Sequence, residues 1–528
     1  MKKLAKSILG LLLAANVATL AACGGEEESG GKTKISFLGW GSVSEISIFD
    51  KLINDFEEEN PEYKVEYKQA DAETYLMKLV NSGRKFPDVF YMPDVNFVQV
   101  INGLDIMLDI TPYIEASEVV SLENAYAEGI DAYRFDKSTK TLGTGSIYAL
   151  PKDLGPNVMC YNKTHVKNAG VKIASDKAGE TYQYGYGYYE EDGETVKVLN
   201  DQIPMTWAQM LQFCLDVTGN LDQSKGITGL THYPWEAVYI AMGGRFLSDD
   251  YSKVTIDNDK FAEAVQIAGD FHSWGVMPSV EQQATQDGGQ RYNSGLAVLS
   301  WMGAWESPKY WDATFDWDIL PAPVPNVSGI DNYTGTKSVR AELMTEPARE
   351  GSKSTYKLGS VGLSVYKNSK HPDAAYKLVE YLTYNVDSQR YMWKTGQAVP
   401  NLKDMAEGEF LTGQIEDPRG MNRPQNRQVY IDMLYSANRR PEAFTYDTEW
   451  YSEINGTAID KLKLKRVWAG DITLWDWSKK TATTPSGAQT YSEDMLKNLQ
   501  TQVQKIFDSG NLDKNNKLRF KWSKPANV

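Results

Sequence analysis

Lys34-Ile35-Ser36-Phe37-Leu38 is a β-prone run. Gly39-Trp40-Gly41 follows as a turn, and Ser42, three residues ahead of Glu45, reads as a capping box that opens a helix. Ile48, Phe49, Leu52, Ile53 and Phe56 then recur at helical spacing until Asn60-Pro61 ends the pattern. Residues 65–67 predict a second strand, 75–80 a second helix and 88–91 a third strand, with another helix after Asp94. Strand and helix alternate from residue 34 to 103, the pattern of a parallel sheet wrapped by helices.

The alternation returns downstream. Phe261, Ala264, Val265 and Ala268 share one helix face, and Ala375, Leu378, Val379 and Leu382 share another. Near the C-terminus Leu496, Leu499, Val503 and Ile506 repeat it behind Glu493 and Asp494. No repeat of solenoid period occurs. A chain of 528 residues allows about two to four domains, and two α/β lobes fit the pattern better than one long fold.

Composition limits the partners. Hydrophobic residues make up 41% and charged residues 24%, mean hydropathy is −0.46, and no apolar run past residue 22 is long enough to span a bilayer. With 55 Lys and Arg against 70 Asp and Glu, the net charge of −15 repels phosphate backbones and anionic headgroups, so no nucleic-acid partner is expected. Four His and three Cys, none paired at ligand spacing, give no expectation of a metal or another cofactor. The 14 Trp and 31 Tyr make a stacking site worth seeking.

Lys2, Lys3 and Lys6 precede an apolar stretch at 8–22, interrupted by Asn16 and too short for a stable membrane span. It ends in Leu20-Ala21-Ala22-Cys23, which resembles the lipobox of bacterial lipoproteins. Residues 1–22 are therefore expected to be a signal peptide and Cys23 the lipidated residue. Residues 23–33, rich in Gly and Glu, read as a flexible tether. Cys160 and Cys214, in apolar contexts, read as buried free thiols, the alternative being a disulfide between them outside the cell.

One segment stands apart. Tyr182, Tyr184, Tyr186 and Tyr188 alternate with Gln and Gly ahead of Asp192-Gly193, a strong hairpin signal over 181–199. Its tyrosines either pack on the lobe beneath or form an aromatic lid at a cleft mouth.

Enzymatic motifs are missing from the sequence. It has no phosphate-binding G-x-x-x-x-G-K-[ST], no G-x-G-x-x-G after a strand, no G-x-S-x-G elbow and no H-E-x-x-H. A glycosidase-like carboxylate pair stays open, because such pairs meet in space rather than in sequence. What recurs is an aromatic residue beside a carboxylate: Tyr91 near Asp94, Trp235-Glu236, Trp305-Glu306 and Glu449-Trp450. An indole face offers a flat apolar surface to the CH side of a sugar ring, and carboxylates accept from the hydroxyls around its rim.

Seven stretches, in order, resemble the extracellular solute-binding proteins of ABC importers (family 1), the group that includes maltose-binding protein. They are Ile35-Ser36-Phe37-Leu38-Gly39-Trp40-Gly41-Ser42; Phe86-Pro87-Asp88-Val89-Phe90 leading to Asp94; Ile147-Tyr148-Ala149-Leu150-Pro151-Lys152-Asp153 leading to Tyr161-Asn162-Lys163; and Thr206-Trp207. Then come 297–305 with Gly303 before Trp305, Phe315-Asp316-Trp317-Asp318, and Lys367-Asn368-Ser369-Lys370-His371-Pro372-Asp373-Ala374-Ala375. The hairpin, residues 326–357 and residues 402–490 depart from the compact members.

The resemblance implies a two-lobed α/β fold of the type II periplasmic-binding class, with ligand held in a cleft between lobes joined by hinge strands. The lobes would be 34–152 with 324–396, and 153–323 with 397–528, the chain crossing near 150–155 and again near 320–325. By position in the motifs, the resemblance assigns ligand contact to Trp40, Asp94, Asp153, Tyr233, Trp235, Trp305 and Trp450, while Thr206-Trp207 is a helix cap with packing and Trp317 is core. It implies a non-catalytic monomer that captures a carbohydrate and hands it to ABC transporter permease subunits, touching the membrane only through its lipid. The alternatives are a secreted glycoside hydrolase or lyase using the same aromatic residues and carboxylates, or the same fold with a peptide or polyol ligand.

Overall fold

The computed structural model describes residues 31–81, 86–139, 141–176, 181–245, 253–330, 339–356 and 360–436, with short pieces at 438–439, 475–476, 481–482 and between 497 and 505. The strands used below are β1 (Thr33–Gly39), β2 (Tyr63–Gln69), β3 (Val89–Pro93), β4 (Leu150–Pro151), β5 (Asn157–Asn162) and β6 (Val171–Ile173). They continue with β7 (Tyr186–Glu191), β8 (Glu194–Leu199), β9 (Thr228–Leu230), β10 (Ala297–Gly303), β11 (Trp317–Leu320) and β12 (Val361–Val365). Among the helices are α1 (Val43–Glu59), α2 (Tyr75–Asn81), α3 (Asp94–Gly103), α4 (Trp207–Gly219), α5 (Trp235–Ala241), α6 (Asp259–Ser273), α7 (Pro372–Tyr384) and α8 (Gln428–Ser436). Among the described residues no helix is long and apolar enough to cross a membrane.

Two sheets organise the molecule. The first has the order β2-β1-β3-β12-β4. β1 runs parallel to β2 and β3, and β12 is antiparallel to β3 and β4, so β1, β2, β3 and β4 all point the same way. The second has the order β9-β10-β5-β11, with β9, β10 and β11 pointing one way and β5 the other. Every residue of β5, β10 and β11 is buried, which explains their unbroken apolar character.

α1 shows how the sequence builds the first layer. Ile48, Phe49, Leu52, Ile53 and Phe56 are its buried face, each contributing about 1.5–3 kcal/mol of transfer free energy. The Ser42 hydroxyl accepts from the Glu45 amide at 3.2 Å, a cap of about 1 kcal/mol. The reciprocal half of the expected capping box is absent, because the Glu45 carboxylate goes to Lys152 instead. α4 does carry a full box between Thr206 and Gln209, and Trp207 and Trp317 are core residues.

The hairpin forms as β7 and β8, with Asp192 and Gly193 at positive φ in the turn. Its third strand is β6. Tyr186 packs edge-on against Phe213 of α4, and Tyr186 and Tyr188 both donate to Asp216 on the same helix, at 2.6 and 2.7 Å. These tyrosines are anchored on the helix beneath them. Cys160 and Cys214 are buried free thiols, Cys160 donating to the Tyr292 hydroxyl.

The chain passes from the first sheet to the second through residues 152–156. The second passage lies elsewhere. The prolines at 321, 323 and 325 look like a hinge, yet Val324 accepts from the Trp207 amide and donates to Met205 on the second sheet's side. Met344 accepts from Gln209, and Arg349 grips Glu263 of α6 through both terminal nitrogens. The chain therefore stays with the second sheet as far as these contacts and joins the first at Ser360 and Val361. A third passage follows α7: Val399 bridges Leu154, Leu402 bridges Ala125, and further on Arg423 pairs with Asp417 beside Trp311.

Candidate functional site

Strand direction places the expected residues. Trp40 follows β1, Asp94 follows β3, and Lys152 and Asp153 follow β4, so all leave the first sheet at its carboxyl edge. Tyr233 and Trp235 follow β9 and Trp305 follows β10, so they leave the carboxyl edge of the second sheet. The five residues 152–156 that link β4 to β5 span at most about 18 Å, so these two edges lie side by side. Carboxyl edges of open α/β sheets are where ligand crevices form.

On the first edge the charged groups converge. The Lys152 ammonium hydrogen-bonds Asp153, lies 2.9 Å from Glu45 Oε1, and sits over the rings of Phe49 and Tyr91. Asp153, only 3% exposed, also accepts from the Val361 amide at 3.4 Å. Burial raises the Asp153 carboxyl above its ordinary value, and Lys152 opposes that rise. Burial works against the Lys152 ammonium, but the Asp153 and Glu45 carboxylates more than offset it and hold its pKa above the usual lysine value. Burial also pushes the Tyr67 phenol up to about 12, and that of Tyr91 well above the ordinary range.

Asp94, 8% exposed, opens α3 with its amide donating to Ser360 O at 3.2 Å. The Tyr133 hydroxyl donates to the same carbonyl at 3.0 Å, and its phenol is raised by burial, by Asp94 and then by Asp153. Tyr133 thus shares its surroundings with both carboxylates. Trp40 is half-buried, with Tyr75 and Tyr91 edge-on to its ring at 4.4 and 5.0 Å.

On the second edge the aromatic residues divide. Trp305 is half-buried, in the turn Ala304–Glu306. The Glu306 carboxylate accepts from the Gly303 amide at 2.9 Å, and burial raises its pKa. The Ala304 amide donates to Pro156 O at 3.2 Å, which ties this turn to the crossing. Tyr233 and Trp235, by contrast, are 3% and 5% exposed, in edge-on contact with Trp301 and Phe261 respectively, both at 5.3 Å. Cys23 and Trp450 lie outside the described residues.

Glu45 and Lys152 belong to this corner although the sequence reading does not place them at the site, and Tyr91, read there as the aromatic residue near Asp94, joins them. The sequence signal for Lys152 is its adjacency to Asp153 inside a family-like motif, whereas Glu45 reads there as a helix-capping residue.

The family model described as bacterial extracellular solute-binding protein matches residues 40–385. An arabinooligosaccharide-binding protein of Bacillus subtilis (strain 168) is 26% identical over 192 residues, covering 34% of this chain and 41% of that protein, so the match spans well under half of that relative's length. An ABC substrate-binding protein of Listeria monocytogenes in complex with cycloalternan superposes with TM-score 0.63 at 18% identity, covering 90% of this chain and 99% of the other. The sugar-binding protein of the phytopathogen Xanthomonas citri gives 0.61 at 17% identity, covering 90% and 98%. At these identities the likeness establishes the fold: the two-lobed α/β architecture expected from the sequence.

Proposed function

The chain belongs to the bacterial extracellular solute-binding proteins, and from that premise we propose that it captures an oligosaccharide between its two sheets and delivers it to the permease of an ABC importer. The observation that carries this reading is the meeting of a carboxylate edge and a half-buried indole at one short crossing: Gly155, two residues after Asp153, lies against the Trp305 ring. Asp94 and Asp153 accept from sugar hydroxyls, while Trp305 and Trp40 present ring surface to the CH faces. Tyr233 and Trp235, buried at the carboxyl edge of the second sheet, and Trp450 complete the proposed set.

The first lobe is built on β1–β4 and β12 and the second on β5–β11, with closure of the cleft on ligand. The protein works as a monomer outside the cytoplasmic membrane, anchored by lipid on Cys23 through the tether at 23–33. The B. subtilis relative makes arabinooligosaccharides the first ligands to try, and the L. monocytogenes one adds cycloalternan.

A thermal-shift screen with these sugars, followed by chromatography of the sugar, tests the reading. A raised melting temperature with intact sugar supports it, since a ligand that binds only the folded state stabilises that state. New reducing ends would identify an enzyme instead.

A further inference from the structure

Gly155 and Gly303 both lie against the six-membered ring of Trp305. A Cβ at residue 155 would fall 2.4 Å from Cε3 and 2.6 Å from Cζ3 of the indole, and one at residue 303 would fall 2.2 Å from both Cη2 and Cζ3. Carbon atoms in contact rest about 3.5–4.0 Å apart, so either methyl would force the ring to move by about 1 Å or more. Backbone conformation does not explain these glycines. Gly303 has φ −90°, and Gly155 is not among the glycines at positive φ. Both conformations are open to other residues, so what the positions lack is room for a side chain, and the ring takes that room.

The two glycines come from different places. Gly303 ends β10, while Gly155 lies on the crossing between the sheets. The Ala304 amide on Pro156 O and the Gly303 amide on Glu306 hold the surrounding turn, so the ring has a fixed position relative to the hinge strand.

We propose that Gly155 and Gly303 are positioning residues that form a seat for the Trp305 indole, fixing the plane on which a sugar ring stacks and coupling that plane to the first hinge crossing. This rests on the reading of Trp305 as a sugar platform. A displaced indole loses stacking geometry, so oligosaccharide affinity should depend on side-chain size at residues the sugar itself does not touch.

The test uses full-length protein labelled with 5-fluorotryptophan, the Trp305 resonance being assigned by its loss in Trp305→Phe. Without sugar, that resonance should shift in Gly155→Ala and in Gly303→Ala. Affinity for arabinotriose or cycloalternan should fall by about tenfold or more in each, and neither glycine change should lower it further beside Trp305→Ala. A role limited to overall stability would leave the affinity loss in place in that background. If one alanine variant does not fold, the other decides, and Trp305→Leu, which removes the ring, should restore folding to the first. An unmoved resonance, or an affinity loss that persists in full beside Trp305→Ala, overturns the seat. If wild-type protein binds neither sugar, the functional proposal falls while the resonance still decides where the ring sits.

Discussion

Lys152 Nζ lies 2.9 Å from Glu45 Oε1 while hydrogen-bonding its neighbour Asp153, so one buried ammonium is shared by two carboxylates at the carboxyl edge of the first sheet. Lys152→Met strands both, and should cost about 3–5 kcal/mol at pH 7.5. The loss should depend on pH. Burial already raises Asp153, and removing Lys152 raises it further. A carboxyl whose folded pKa exceeds its unfolded value near 4 makes stability fall as pH rises through the window between them. The deficit of the variant should thus be smallest near pH 4 and grow toward neutrality. Urea titrations across that range check this, and a deficit independent of pH would count against the triad.

Trp305→Ala should weaken oligosaccharide binding by more than about 1 kcal/mol. The melting temperature of the ligand-free protein should change little, since the ring is half-buried. Calorimetric titration and a thermal melt separate the two effects; a large loss of stability would make Trp305 a core residue.

Asp318 is a second buried carboxyl, at the start of the strand end that receives residues 425 and 426. Its Oδ1 accepts from the amides of Ile319, Gln425 and Asn426 at 2.9, 3.0 and 2.9 Å, and Lys163 is 3.8 Å from its other oxygen. Burial pushes its pKa up to about 6. Its folded pKa is above its unfolded one, so its contribution should fall by about 3 kcal/mol as pH rises from about 4 to about 6. Asp318→Asn keeps an acceptor oxygen and removes the titration. Its melting temperature should vary less over this range than that of wild type.

What was legible in the sequence was local. The spacing from Ile48 to Phe56 sufficed for α1, and Asp192-Gly193 sufficed for the hairpin, because both signals lie within a few turns of chain. The pairing of β12 with β3 joins Leu363 to Tyr91 across most of the first lobe, and no local pattern carries such a partner. Glu45 illustrates the competition: capping propensity places it on Ser42, and a lysine more than a hundred residues away takes it. The prolines around Val324 suggest a hinge, whereas the backbone bonds of Val324 hold it to Met205 and Trp207 at the start of α4. Gly155 reads as an ordinary turn glycine until the indole against it is seen.

The anchor has its own test. Cys23→Ser should move the protein from the membrane fraction to the soluble extracytoplasmic fraction and leave sugar affinity unchanged. Retention of the mutant at the membrane would remove the lipid from the account.

Closure is the last expectation. The sheets are joined through residues 152–156, again where the chain enters β12, and again near Val399, which bridges Leu154. Three passages close together restrict relative motion to rotation about them, with little change inside either sheet. A sugar that touches Asp94 and Asp153 on one edge and Trp305 on the other has more contacts in the closed form, and shifts the population by that difference in affinity. The Gly155 seat sharpens this, because the platform rides on one of the passages instead of standing apart from them. Small-angle scattering should therefore show a smaller radius of gyration once a sugar already shown to bind is added. An unchanged radius from an open ligand-free protein would sink the rotation while leaving the binding assignment to the titrations.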